Sequence, residues 1–145
     1  MRPLVVGDRL DTDLEGAQAA DMPGLLVLTG VTGVSELLAA TPELRPTFVG
    51  RDLMSLLTAH PEAGAHEVGA GFEGRCVDAR VLVTVGGGRP ELSVTSPGSD
   101  ALDLLRAGAV AAWAAAGAGA TTGSPDPGPL VQALRAVEPD AAWAR

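Results

Sequence analysis

The run Leu4-Val5-Val6-Gly7-Asp8-Arg9-Leu10-Asp11-Thr12-Asp13-Leu14-Glu15-Gly16-Ala17 decides how this chain folds. It begins with a short apolar segment that ends in glycine. Three aspartates follow within six positions, and a helical pattern comes after them. This order predicts a buried strand whose C-terminal end leads through an acidic loop into a helix. In open α/β sheets, ligands and ions bind at that edge of the sheet.

Asp8 and Asp13 are the candidate site residues of this loop. Asp8 follows the predicted strand directly, so the sheet would fix its position. Asp13 stands where a helix favours an N-cap or first-turn carboxylate, which accepts bonds from free backbone N–H groups. Closely spaced carboxylates repel one another unless a cation lies among them, and oxygen-only ligands suit Mg²⁺. The residues leave two interpretations open: a magnesium site, or acids that cap a helix.

Two other ligand motifs are excluded by the residues of the loop. The run 11–16 begins like a calcium-binding EF-hand loop, but the twelfth position, which needs a bidentate glutamate, is Met22. A phosphate-binding loop would need successive glycines or a Gly-Lys-Ser/Thr ending. Arg9-Leu10-Asp11 provides neither.

Four segments resemble, in order and spacing, the last part of the core of haloacid dehalogenase-like phosphatases. They are Gly-Asp-Arg-Leu-Asp-Thr-Asp at 7–13, Ala-Ala-Asp-Met at 19–22, Leu-Val-Leu-Thr-Gly-Val at 26–31 and Arg-Pro-Thr-Phe-Val at 45–49. The subgroup holds p-nitrophenyl phosphatases, phosphoglycolate phosphatases and actinobacterial glycerol-3-phosphate phosphatases. The resemblance covers residues 2–57. It implies a Mg²⁺-dependent hydrolase of small phosphorylated metabolites that works through an aspartyl-phosphate, with Asp8 as a metal ligand and Asp13 supporting the site.

The same resemblance indicates what these residues lack. The family's chemistry needs an Asp-x-Asp pair after an earlier strand, a phosphate-binding Ser or Thr, and a Lys that neutralises phosphoryl oxygens. All ten cationic side chains here are arginines, and the one Asp-x-Asp, Asp11 to Asp13, lies inside the late motif. Asp21 is a further departure, since relatives usually have glycine there, although Asp tolerates a left-handed backbone. We therefore expect the C-terminal portion of a phosphatase, inactive alone and without the segment that selects the substrate.

Residues 1–59 are predicted to be the C-terminal strands and helices of a Rossmann-like parallel-sheet α/β phosphatase core. Strands are expected at 3–6, 25–28 and 47–49, and helices at 12–20, 33–40 and 51–57. The run 25–28 is apolar without alternation, which is typical of a parallel strand covered on both faces. Three strands with short helices do not close a two-layer core alone, which again indicates a portion of a larger fold.

Residues 60–66 are predicted to be a linker in which His60 and His66 are solvated, and residues 67–145 a small appended α+β domain. In that domain we expect an antiparallel hairpin over 75–95 and a helix over 100–116, with Ser99 as its N-cap. An apolar stripe at helical spacing is expected to pack on the hairpin; it consists of Leu102, Leu105, Ala109 and Trp113.

Two features of the second half bear on small-molecule binding. The run 69–74 matches G-x-G-x-x-G, but a dinucleotide site needs a strand before it and a helix after it. Here a linker precedes the run and a strand-like segment follows it. Some actinobacterial relatives carry an appended domain that resembles a reduced acetyltransferase, in the place of residues 66–145, yet no motif here supports acyl-CoA binding. Three alternatives stay open: a phosphatase portion, a non-catalytic remnant or interaction module, and an acyl-CoA-binding tail.

Composition excludes several other classes of protein. A formal net charge of −8 and a pI near 4.5 disfavour nucleic acid, whose phosphates this surface would repel. We find no signal peptide and no run able to span a bilayer, so we expect a cytoplasmic protein without membrane contact.

One cysteine, Cys76, excludes an internal disulfide and is expected to be a buried strand residue. Large side chains are few, which suggests modest stability or a partner chain such as a second copy in a homodimer.

Overall fold

The computed structural model describes residues 2–119 and 122–145, so that Met1, Ala120 and Thr121 lie outside the description. Its elements are β1 (Val5–Gly7), α1 (Glu15–Ala19), β2 (Gly24–Val27), α2 (Val34–Leu38), β3 (Phe48–Gly50), β4 (Ala63–Val68), β5 (Gly71–Cys76), β6 (Ala79–Thr84), β7 (Glu91–Ser96), α3 (Ala101–Gly117) and α4 (Gly128–Val137). Shorter helical turns cover Leu10–Leu14, Pro42–Leu44 and Leu53–Leu57. The fold is a mixed α/β structure with one parallel and one antiparallel sheet.

β1, β2 and β3 form the parallel sheet, with β2 in the middle. Leu25 and Leu26 of β2 are fully buried, as expected for a central strand covered on both faces. The three predicted strands are therefore confirmed to within two residues. Because parallel strands end at the same edge of a sheet, the residue after β1 lies beside the loop that follows β2.

Two helices of this half differ from the prediction. The segment expected as one helix over 12–20 begins with a wide turn, in which the Leu14 N–H reaches the Arg9 carbonyl five residues back at 3.3 Å, and only then becomes α1. The segment expected as a helix over 51–57 is a 3₁₀ turn, capped by the Asp52 carboxylate on the Met54 N–H. Its leucines are mostly exposed, so no packing extends the turn into an α-helix. Asp21 has a φ of +52°, which is the left-handed conformation expected there.

The second half forms a four-stranded antiparallel meander in the order β4-β5-β6-β7, followed by α3 and α4. The residues predicted as a linker, 60–66, overlap β4, because this strand pairs with β5 along its full length, from Ala63 opposite Cys76 to Val68 opposite Gly71. The glycine-rich run 69–74 is the β4–β5 turn and the start of β5. No helix follows it, which excludes the dinucleotide interpretation.

α3 packs on the antiparallel sheet and also contacts the first half of the chain. A Cβ at Gly74 of β5 would overlap the Ala107 carbonyl, so the helix lies directly on the antiparallel sheet there. Leu105 and Ala109 lie roughly 160° from Ala107 around the helix. On that other side, the Trp113 indole N–H donates to the Leu37 carbonyl at 2.9 Å. The predicted stripe is apolar, but its predicted partner is wrong: Trp113 contacts the first half of the chain rather than the hairpin.

A single hydrophobic core joins the two halves. It contains Leu26 and Leu37 from the first half and Val81 and Leu104 from the second. The C-terminal segment also reaches back, since the carbonyl of Arg145 accepts a bond from the Val34 N–H at 2.7 Å. The small parallel sheet therefore shares its hydrophobic core with the second half of this chain. Among the described residues, no helix is long and apolar enough to cross a membrane.

Candidate functional site

Asp8 lies one residue beyond β1, at the C-terminal edge of the parallel sheet, and is half-buried. Its carboxylate is turned toward the loop after β2, because a Cβ at Gly30 would lie 3.1 Å from Asp8 Oδ2. The Asp8 main-chain carbonyl accepts a bond from the Thr32 hydroxyl at 2.8 Å. Within residues 2–119 and 122–145, no donor binds the carboxylate itself. Asp8 therefore does not cap the following helix, and its oxygens are available to a ligand.

Asp13 closes the turn that carries Asp8. Its Oδ2 accepts a bond from the Arg9 N–H at 3.3 Å, four residues back. The same side chain packs onto Gly7, where any Cβ would overlap it. Glycine at position 7 is thus required by this close approach. Asp13 holds the backbone on both sides of Asp8 in place.

Asp11, the third acid of the loop, is paired with Arg9. The two side chains form a two-point contact, with Nε to Oδ1 at 3.2 Å and a terminal nitrogen to Oδ2 at 3.3 Å. The hydrogen bond from Arg9 lowers the pKa of Asp11, and the same bond raises the pKa of Arg9. One of the three negative charges predicted to surround a cation is therefore neutralised within the protein.

The arrangement fits one kind of metal site. In the part of the chain that the structure describes, no cluster of three or more His, Cys, Asp or Glu side chains is placed to hold an ion. Asp8 offers oxygen donors at the edge of the sheet, and none of the described residues donates a bond to its carboxylate. Mg²⁺ suits such a donor, since it usually keeps several waters and binds through one or two carboxylates plus phosphate oxygens.

A second polar cluster was not foreseen from the sequence. His60 Nε2 lies 2.9 Å from the Ser55 carbonyl, and His60 Nδ1 lies 3.2 Å from Arg106 Nη2. The ring also packs on Phe48, with 5.2 Å between centroids. The prediction that His60 is a solvated linker residue is therefore wrong. Together with Trp113, the side chains of His60, Arg106 and Phe48 line a cleft of about 370 Å³ between the two halves.

The N-terminus of α3 has acidic side chains around it. Asp100, not the predicted Ser99, is the N-cap and accepts bonds from the N–H groups of Leu102 and Asp103 at 2.7 and 3.3 Å. Ser99 instead donates its hydroxyl to the Asp78 carboxylate at 3.0 Å. Burial works to raise the pKa of Asp100, but the Leu102 N–H and the Arg51 guanidinium hold it below its ordinary value. An incoming phosphate would meet two carboxylates here.

Cys76 has no sign of reactivity. It is buried in β5, with its sulfur 3.6 Å from Asp103 Oδ1. Burial, with the nearby Asp103 charge, raises the pKa of the thiol to about 12, so it stays protonated at neutral pH. The predicted structural role of this cysteine is confirmed.

Comparisons with known proteins identify relatives of both halves. Residues 1–56 match the HAD-hydrolase-like family, and residues 82–138 match a GCN5-related N-acetyltransferase-like domain. The chain is 42% identical over 119 residues to the D-glycerol 3-phosphate phosphatase of Mycobacterium tuberculosis, covering 77% of this chain and 31% of that protein. The resemblance to haloacid dehalogenase-like phosphatases is thereby confirmed.

Solved structures show the same relationship. Crystal structures of glycerol phosphate phosphatase from Mycobacterium tuberculosis, one in complex with magnesium and one with calcium, match with a TM-score of 0.54. They are 39% and 40% identical to this chain, and the match covers 79% of it. The chain spans about a third of the length of these relatives, 31–32%.

Proposed function

We propose that residues 1–56, which match the HAD-hydrolase-like family, supply the metal-binding edge of a Mg²⁺-dependent phosphate-monoester hydrolase. One observation carries the proposal: the Asp8 carboxylate lies at the C-terminal end of β1, turned toward the β2–α2 loop, with no protein donor on it among the described residues. The names of the relatives support it, since the Mycobacterium tuberculosis phosphatase is seen with magnesium and with calcium.

In this proposal, the residues of the loop have different roles. Asp8 is the oxygen ligand. Asp13 supports it from behind by holding the Arg9 N–H, and Asp11 is a surface partner of Arg9. When bound, the divalent cation would neutralise charge on phosphoryl oxygens and orient the phosphate. The contribution of this chain is to hold one carboxylate rigidly at the edge of the sheet.

The remaining chemistry is proposed to come from a segment outside these residues. An aspartyl-phosphate mechanism needs a nucleophilic carboxylate, a second acid and a cation beside the phosphate. The one Asp-x-Asp here cannot serve as nucleophile and acid, because Asp13 is bonded to the backbone and Asp11 to Arg9. We therefore expect no turnover from residues 1–145 alone.

The proposed substrate is a small phosphorylated metabolite. Glycerol 3-phosphate is the first choice, because the relative with 42% identity is a D-glycerol 3-phosphate phosphatase, and phosphoglycolate is the second. Assembly as a homodimer and residence in the cytoplasm stay predictions. The division into a core segment, 1–59, and an appended domain, 67–145, is likewise proposed, with the two family matches falling inside the two parts.

The test joins the preceding portion of the Mycobacterium tuberculosis phosphatase to this chain and compares Asp8→Asn with Asp11→Asn. Both changes remove one charge from the same loop and keep the side-chain shape. We expect Mg²⁺-dependent hydrolysis of glycerol 3-phosphate, lowered by on the order of 100-fold or more in Asp8→Asn, since a lost metal contact is worth several kcal/mol. Asp11→Asn should stay within a few-fold of the parent. An unchanged magnesium requirement in Asp8→Asn would refute the proposal.

A second candidate function, acyl-CoA binding by residues 82–138, rests on the match to an N-acetyltransferase-like domain. The structure disfavours it at the place where a phosphate would bind, the start of α3. There the amides are taken by Asp100, and Asp78 lies close by. Titration of the chain with acetyl-CoA should show no saturable binding. Saturable binding at micromolar acetyl-CoA would favour this function. If the protein joined to the preceding portion of the Mycobacterium tuberculosis phosphatase were inactive, the chain would instead be a non-catalytic remnant.

A further inference from the structure

We propose that the loop after β2, residues 29–32, positions Asp8, and that Thr32 is the positioning residue; this inference rests on the proposed function of Asp8. Two contacts from one short loop converge on the same aspartate. The Thr32 hydroxyl binds its main-chain carbonyl, and Gly30 faces its carboxylate. The first contact fixes Asp8, and the second leaves its oxygens uncovered.

Thr32 fixes Asp8 where the sheet no longer does. The pairing of β1 with β2 ends at Gly7 opposite Leu26, so the ladder does not hold the next residue. The Thr32 side chain is 5% exposed and is one of two buried polar or charged residues in the described chain, with Asp103 the other. Its hydroxyl lies 2.8 Å from the Asp8 carbonyl oxygen. Little water can replace this buried bond, so the orientation of Asp8 depends on it.

The loop is anchored at both ends, so Thr32 has a rigid support. At the start, the Leu28 N–H binds the Gly50 carbonyl at 3.0 Å and the Leu28 side chain is buried. At the end, the Gly33 N–H binds Glu36 Oε2 at 3.1 Å, and Val34 is 2% exposed. Residues 29–31 of the loop are exposed to solvent, and Thr32 is buried.

Gly30 keeps the carboxylate open. Its φ is outside the left-handed region, so the backbone does not require glycine there. A Cβ at this position would meet one heavy atom, Asp8 Oδ2 at 3.1 Å, which is tighter than an ordinary contact. Alanine would therefore crowd the oxygen that the proposed function assigns to the metal ion.

The test measures metal binding directly on the ¹⁵N-labelled chain, with Mn²⁺ as the probe because it accepts the same oxygen ligands as Mg²⁺. Paramagnetic broadening of amide signals detects a site even at low occupancy. We expect local broadening at residues 7–10 and 29–32. Thr32→Val, which keeps the shape and removes the hydroxyl, should weaken the apparent Mn²⁺ affinity about tenfold, as changes behind a metal ligand commonly do. Thr32→Ser should restore it to within about threefold.

Gly30→Ala provides a second, independent variant in case Thr32→Val does not fold. It should also weaken local Mn²⁺ binding by several-fold. Its control is Gly16→Ala, an exposed glycine of α1 where a Cβ meets nothing within 4 Å, and which should bind Mn²⁺ like the parent. Dispersed amide spectra verify that each variant is folded.

The outcomes separate this inference from the proposed function. If Asp8→Asn keeps the local broadening, or the parent has none, the metal assignment fails and this inference fails with it. If Asp8→Asn loses the broadening while both Thr32→Val and Gly30→Ala bind like the parent, Asp8 is a ligand and the positioning role is refuted. Weakening by Thr32→Val without rescue by Thr32→Ser would also refute the role of the hydroxyl.

Discussion

Asp8 and Asp100 both stand between a strand and a helical segment, but the protein uses the two carboxylates differently. Asp100 follows β7, accepts bonds from two amides of α3 and contacts Arg51 at 3.3 Å. Asp8 follows β1, and its carboxylate accepts no bond from the described residues. An aspartate at a strand-to-helix junction is therefore not a site by its position alone. The use of its lone pairs decides whether it is structural or free for a ligand.

The helices explain the difference. α3 has 17 residues and free amides at its start, which need an acceptor. The turn after β1 is wide and short, and there the Asp13 carboxylate accepts the Arg9 N–H. Asp8 is thereby released from capping.

Trp113→Ala tests whether both junctions belong to one cooperative body. The change removes the bond to the Leu37 carbonyl and the packing of the indole ring between α3 and the first half. We expect a loss of roughly 3–5 kcal/mol in the free energy of unfolding, still in one transition. Urea unfolding followed by circular dichroism measures it. Trp113→Phe, which keeps an aromatic ring but removes the N–H and part of the indole, should lose less than Trp113→Ala. Two separate transitions in the parent would contradict the shared core.

Asp100→Ala and Asp8→Ala compare the two carboxylates directly. Loss of the α3 cap should lower the free energy of unfolding by about 1–2 kcal/mol. Asp8→Ala should change it by no more than about 0.5 kcal/mol, because no protein donor is left unpaired. Both are measured by urea unfolding at neutral pH. Equal destabilisation by the two changes would show that Asp8 is also structural.

The stability of the parent protein should depend more strongly on acid pH than the stability of the Asp100→Asn variant. The Leu102 N–H and Arg51 hold the pKa of Asp100 below its ordinary value in the folded state, against the effect of burial. The contribution of Asp100 to stability is therefore complete above about pH 4, which is the ordinary pKa of an aspartate. The contribution is lost as the pH falls through the lowered pKa of the folded state. As the pH is lowered from 6 to 3, the midpoint temperature of thermal unfolding should decrease less steeply in Asp100→Asn than in the parent. Parallel curves would rule out this linkage.

Val77→Asn tests the turn beside the α3 junction. Val77 and Asp78 form the two-residue loop between β5 and β6, and Val77 has a φ of +53° while its side chain is 70% exposed. A β-branched residue is strained in this conformation, which asparagine tolerates. We expect a gain of up to about 1 kcal/mol in the free energy of unfolding. A loss of stability would mean that the exposed valine makes a contact of its own.

The parallel half could be predicted because its signals are local. The apolar run at 25–28 and the glycine before Asp8 fix the middle strand and the end of the first. β4 was missed because its residues, Ala-Gly-Ala-His-Glu-Val, have low strand propensity and form a strand through pairing with β5. The partner of the Trp113 stripe was predicted wrongly because a helical period identifies an apolar face and not what covers it.

The candidate site was predictable in position but not in its supporting contacts. The order of strand, glycine and aspartate placed Asp8 at the sheet edge. The bond from Thr32 joins residues 24 positions apart, and the pair of His60 and Arg106 joins residues 46 positions apart. No local pattern encodes such contacts, since they depend on how the loops meet after the sheet has formed.

The contact of α3 with α2 and β3 has a consequence for synthesis. About fifty residues separate the end of β3 at Gly50 from the start of α3 at Ala101. At 5–20 residues per second, the ribosome needs about 3–10 s to make them. During that interval, the surface of α2 that Trp113 later covers is exposed on the nascent chain. A chaperone that shields apolar segments during translation should therefore raise the yield of this protein more than one supplied after release.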